Sequence, residues 1–191
     1  MRTVTKSWEK TLSKLFVLDN QQLSIPSLLL LGTIAGLMYT HLRYPLNIPG
    51  HHGLEWMALV MFGRCLSSQR YAATILATGA VAGYLAQIPL LSLTNEFKPV
   101  FVFLISGFFA DTIYRQCSGK LPHFISIALT GGLAFITKPT AMYFLFLTAN
   151  IKVGMFLKHP DYLPFISHFM FGALGAIGGA MLAKATMSMT K

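Results

Sequence analysis

The sequence predicts an all-α polytopic integral membrane protein, a helix bundle of seven spans with its N-terminus in the cytoplasm. Of 191 residues, 54% are hydrophobic and 11% charged, against roughly 45–50% and ~25% in soluble domains. The 15 Lys and Arg and 6 Asp and Glu are too few to coat a soluble fold of this size, and the mean hydropathy is +0.58. Apolar runs near the length that crosses ~30 Å of hydrocarbon recur along the chain between short polar segments. Together these features exclude a soluble enzyme, a disordered chain and a coiled coil.

Residues 1–23 carry Arg2, Lys6, Lys10 and Lys14, with Trp8, Leu12, Leu15 and Phe16 at helical spacing. They predict a basic amphipathic arm on the cytoplasmic membrane surface, and the pattern is not that of a signal peptide. Residues 24–187 read as a single transmembrane domain. The first span covers 24–42, opened by Pro26 and closed by His41, Leu42 and Arg43, and a Pro/Gly loop follows over 44–53. Residues 54–66 form a short second span bracketed by Arg64 and Arg70; if this segment is re-entrant, the count falls to six. The Ala/Gly-rich third span covers 71–91 and ends in the turn Thr94-Asn95-Glu96-Phe97-Lys98. The fourth covers 99–114, before Arg115, Gly119 and Lys120. Residues 122–157 would make one helix about 54 Å long. Two short spans turning at Pro139 suit a bilayer better. The last span covers 163–183.

Charge favours seven spans. With the N-terminus inside, the cytoplasmic side holds ten basic residues: Arg2, Lys6, Lys10, Lys14, Arg64, Arg70, Arg115, Lys120, Lys152 and Lys158. Five lie outside, namely Arg43, Lys98, Lys138, Lys184 and Lys191, which puts the C-terminus outside. The net charge of +9 therefore belongs to loops and lipid contacts, and nucleic acid is not an expected partner. Cys65 and Cys117 read as reduced thiols beside cytoplasmic loops.

Small residues repeat at helical spacing: Gly32 and Gly36 in the first span, Ala72, Ala73, Ala77, Ala80 and Gly83 in the third, and Gly172, Gly175, Ala176, Gly179 and Ala180 in the last. Such faces let helices approach closely in lipid, either within the chain or, for Gly32 and Gly36, against a partner subunit. The densest polar cluster is His41, Arg43, Asn47, His51, His52 and Glu55. His51 and Glu55 share a helical face if the second helix begins at Pro49, and imidazole with carboxylate suits a transition metal held by His51, His52 and Glu55. The same residues, with His41 and with Trp56 as a stacking wall or an interface anchor, suit a small organic solute. They also suit plain interfacial capping, since Glu55 complements a helix start. Asp111 lies inside an apolar span, where an acid marks function by default; an i,i+4 ion pair with Arg115 accounts for it. Haem ligation by His123 and His168, expected near the cytoplasmic ends of their spans, is the less favoured cofactor reading, and no cofactor is firmly implied. Phosphate-loop, dinucleotide and hydrolase motifs are absent from the sequence, so no enzyme is expected.

The Gly32-Ala35-Gly36 stripe, the loop after it and the Gly-rich short spans resemble the substrate-binding components of energy-coupling factor transporters. The resemblance implies that Gly32 and Gly36 dock a coupling subunit while His51, His52 and Glu55 line or lid a solute pocket. Most of that family has six spans. Its nickel and cobalt branch has seven and ligates metal with a histidine after the initiator methionine, where this chain has Arg2. The expected function is thus a small-solute-binding subunit of a multi-subunit uptake transporter in a bacterial inner membrane, powered by partner subunits. The alternative is a non-catalytic accessory subunit of a larger respiratory, photosynthetic or oxygenase complex.

Overall fold

The computed structural model of the chain describes residues 23–39, 48–88, 98–149 and 162–189. Among them lie six helices: α1 (Ile25–Met38), α2 (His52–Cys65), α3 (Ala72–Leu85), α4 (Lys98–Cys117), α5 (His123–Ala149) and α6 (Leu163–Met189). The basic arm expected over 1–23 lies outside the described residues, apart from Leu23.

Local chemistry sets the helix starts. Ser24 caps α1 by accepting from the Ser27 N–H, and Pro26 occupies the first turn, where its missing donor is no loss. Ser67 Oγ donates to the Leu23 carbonyl at 2.8 Å and the Leu23 N–H donates to the Leu66 carbonyl at 2.6 Å, tying the start of α1 to the end of α2. Gly119, at φ +82, turns the chain between α4 and α5.

Consecutive helices run in opposite directions, and α2 touches all five others. Met57, Val60 and Met61 on α2 are fully buried, so the least apolar short helix is the one the others enclose. Two parallel pairs form small-residue seams. In the first, Gly32 and Gly36 of α1 press on the Leu76 and Ala80 carbonyls of α3, and Gly79 and Gly83 of α3 press back on Leu29 and Thr33. In the second, Gly175 and Gly179 of α6 meet the Leu54 and Ala58 carbonyls of α2. Gly131 against Gly172 and Ala176 joins α5 to α6, and Gly107 against Ala73 and Ala77 joins α4 to α3.

The expected turn at Pro139 is corrected: α5 runs through it as one helix of 27 residues, about 40 Å long. Proline removes one N–H and leaves the carbonyl four residues earlier without its donor. Thr137 Oγ1 donates to the Ala134 carbonyl at 2.6 Å and Thr140 Oγ1 to the Ile136 carbonyl at 2.8 Å, on either side of the freed Phe135 carbonyl, and Pro139 itself is fully buried among the helices. The described residues therefore carry six helices, and seven spans are not supported. Nor does the re-entrant reading of 54–66 hold, because α2 passes from one end of the bundle to the other. One helix fewer also reverses α6. His168 consequently lies at the end of the bundle that holds His52, the histidine end. His123 lies at the other end with Arg64 and Arg115, the basic end, so the two cannot share a haem.

Three segments, Pro99–Cys117, His123–Phe144 and Leu163–Met189, are long and apolar enough to cross a membrane; Ile25–Met38 and Ala72–Leu85 are shorter apolar helices, each about 21 Å long. Phe101, Phe124 and Phe144 are each 63% exposed on the outer faces of α4 and α5, as a hydrocarbon surround requires and water does not permit on this scale.

Candidate functional site

At the histidine end the sequence GHHG (Gly50-His51-His52-Gly53) seats the start of α2. Gly50 has φ +84, and a Cβ there would lie 2.7 Å from His168 Nδ1; a Cβ on Gly53 would enter the Phe135 ring. Both glycines are thus required for this turn to lie on the stacked Phe135–His168 pair, whose centroids are 5.1 Å apart. Gly50→Ala is expected to destabilise the protein by at least about 1–2 kcal/mol, the cost of a left-handed non-glycine residue, read as a lowered unfolding midpoint in detergent. Gly53→Ala should behave likewise, without the dihedral term.

The helix begins at His52 rather than at Pro49, with His51 at its cap position; the His51 ring lies 3.8 Å from that of His52, and its Nδ1 is 2.7 Å from the Ile48 carbonyl. His52 and Glu55, three apart on α2, instead line a cleft against α1 with Tyr39, Trp56, Leu31 and Met38; its volume is about 100 Å³. His41 lies outside the described residues. Trp56 is a buried wall rather than an interface anchor. Its Nε1–H donates to Ser106 Oγ at 2.9 Å, Ser106 Oγ donates to the Phe103 carbonyl at 3.0 Å, and the Phe103 ring sits 4.6 Å from the indole. Tyr39 meets Phe103 edge-on at 5.1 Å and Tyr84 at 6.0 Å, so an aromatic cluster backs the cleft. Among the described residues no three His, Cys, Asp or Glu side chains converge as metal ligands.

His168 sits behind this turn, 1% exposed. Its Nδ1 is 2.6 Å from the Pro164 carbonyl, which only accepts, so the Nδ1 carries the hydrogen. Its Nε2 is buried without a hydrogen-bond partner among the described residues. Lys138 Nζ stands 5.8 Å from the centroid of the Phe135 ring.

No protein-family profile, curated protein or solved structure matches this chain. Its site is therefore read from its own residues.

Two expected roles are corrected. Gly32 and Gly36 are buried against α3, where even a methyl group would strike the Leu76 and Ala80 carbonyls, so this face is closed to a partner subunit. The carboxylate of Asp111 faces Arg64, with Nε 3.4 Å from Oδ1, and not Arg115. The Arg115 Nε–H donates to the Asp111 backbone carbonyl at 3.2 Å, while its guanidinium covers the Tyr71 ring at 5.1 Å. Asp111 is wholly buried and accepts from the Ala73 and Thr74 N–H groups at 3.2 and 2.8 Å and from Thr74 Oγ1 at 2.7 Å. It is the cap of α3, supplied from α4, since Tyr71 at the cap position makes no such bond. Sequence reading missed Arg64 in this role because residues 47 apart carry no local signal. Ser106 and Phe103 were missed for the same reason. Tyr39, between the first span's last apolar residues and His41, was within reach of a search for aromatics near the cluster.

Proposed function

We propose that this chain is a small-solute-binding membrane subunit and that its solute enters the α1–α2 cleft at the histidine end. The observation that carries the reading is the convergence of His52, Glu55 and Trp56 with Tyr39 on one cleft. Two aromatic walls and one carboxylate, with no lysine or arginine among the lining residues, favour a small organic cation with an apolar body. Glu55 in the first turn of α2 also complements the helix dipole.

The reading includes orientation. With six crossings, Lys184 and Lys191 join the side of the N-terminus, and Lys152 and Lys158 leave it. Ten basic residues still face five, now with both ends of the chain on the basic side. This bias supports a bacterial inner membrane with the basic end in the cytoplasm and the cleft facing outward. Uptake would draw energy from partner subunits, which must dock on a surface other than Gly32 and Gly36.

Trp56 and Trp8 are the two tryptophans, so a Trp8→Phe background reports on the cleft by fluorescence. Titration with tetramethylammonium is expected to change Trp56 emission saturably, with Glu55→Gln weakening binding about tenfold or more, the loss of one charged contact. Absence of any saturable change, with recovery from native membranes at fixed stoichiometry with redox or light-harvesting subunits, would instead favour the accessory-subunit reading.

A further inference from the structure

At the basic end a second and larger groove, about 400 Å³, opens between α2, α4, α5 and α6, within the ~300–1,000 Å³ range of ligand pockets. Its walls are apolar, with Phe124, Ile127, Ile177 and Met181, and Cys65 also lines it. Its polar groups include His123 and Lys184, and among the described residues no carboxylate lines it. Depth sorts the two kinds of wall. From Leu163 to Lys184 along α6 is about 32 Å, close to the ~30 Å thickness of the hydrocarbon, so Lys184 stands at headgroup level. His123 opens α5, whose first-turn N–H groups lack intrahelical acceptors and favour an anion. Below them Phe124 and Met181, 63% and 67% exposed, leave the groove open sideways to the bilayer.

We infer that this groove holds one anionic phospholipid, its phosphate at Lys184 and His123 and an acyl chain along Phe124, Ile177 and Met181. A soluble anion would leave the apolar walls unused, and a zwitterionic lipid would bring a cation to a site where Lys184 already stands. Arg70, Arg115 and Lys120 at the same end add to the field that selects a negative headgroup. The inference is independent of the solute proposal, because the two sites lie at opposite ends of the bundle.

The test uses the full chain, delipidated in detergent and offered palmitoyl-oleoyl phosphatidylglycerol or phosphatidylcholine, with bound lipid counted by native mass spectrometry. Phosphatidylglycerol is expected to be retained preferentially, and each of Lys184→Gln and His123→Gln to reduce that preference, by roughly fivefold for the lysine. In a Cys117→Ser background, phosphatidylglycerol should also slow maleimide labelling of Cys65, and Met181→Trp, which fills an exposed part of the groove, should abolish that protection. Equal retention of the two lipids would overturn the inference. So would a preference untouched by both polar variants, or protection of Cys65 by inorganic phosphate alone.

Discussion

Asp111→Ala is expected to cost the folded protein about 3–5 kcal/mol, the range for breaking a buried ion pair from one side. Three hydrogen bonds are lost together, two from the backbone at the start of α3 and one from Thr74. The Arg64 guanidinium, with its side chain only 11% exposed, is left without its counter-charge. Arg64 is otherwise held by the Ser67 and Gln69 carbonyls, at 3.4 and 3.1 Å, and by the Tyr114 ring at 4.7 Å, so it cannot simply swing away. Unfolding in mixed micelles, followed by helical signal, measures the loss. Asp111→Asn keeps an acceptor and removes the charge, and should lose roughly half as much. Arg64→Leu combined with Asp111→Ala should recover the part owed to the stranded cation and leave the part owed to the uncapped helix, about 1 kcal/mol. If Asp111→Ala alone stays within about 1 kcal/mol of the parent, the cap and the pair do not hold α3 in place.

That result bears on how an acid inside a span is read. Intramembrane carboxylates point to function by default, and an arginine one turn along the helix was the nearest alternative. The structure supplies a third account in which the acid belongs to a neighbouring helix as its cap. Nothing within 97–117 marks this, because the need arises at Tyr71, which is at the cap position and makes no side-chain bond. Helical class and lipid-facing composition were legible because they are sums over many residues. Helix number was not, because Pro139 beside Thr137 and Thr140 reads as a breaker in water, whereas a proline buried among neighbouring helices is tolerated within a spanning helix. That single misplaced turn carried His168 to the wrong end of the bundle. His52, Glu55 and Trp56 were legible as a cluster because they lie on one short stretch. The seat of the turn that carries them was not, since it follows from Gly50 and Gly53 resting on His168 and Phe135, more than 80 residues later in the chain.

A second large effect is expected at Gly36. A Cβ there falls on the Ala80 carbonyl, within its van der Waals radius, and the atom met is backbone, which cannot rotate aside as a side chain does. The Gly36 carbonyl also accepts from the buried Gln87 amide at 2.8 Å, which donates as well to Gly83 at 3.1 Å, so separating the helices breaks that link. Gly36→Ala should cost about 1–3 kcal/mol as overpacking. Gly36→Leu should exceed that range and prevent α1 from seating on α3 at all. Gly178 is the control: nothing lies within 4 Å of a Cβ at that position, and Gly178→Ala should be neutral or slightly stabilising, as for alanine in any open helical site. The comparison decides between the two uses of a small-residue stripe. A face that docked a separate subunit would leave the isolated chain as stable after Gly36→Ala as before, and only the complex would weaken. A face spent within the chain loses stability in the purified protein alone, and the gap between Gly36→Ala and Gly178→Ala in the same micelle measures how much of the bundle depends on that one approach.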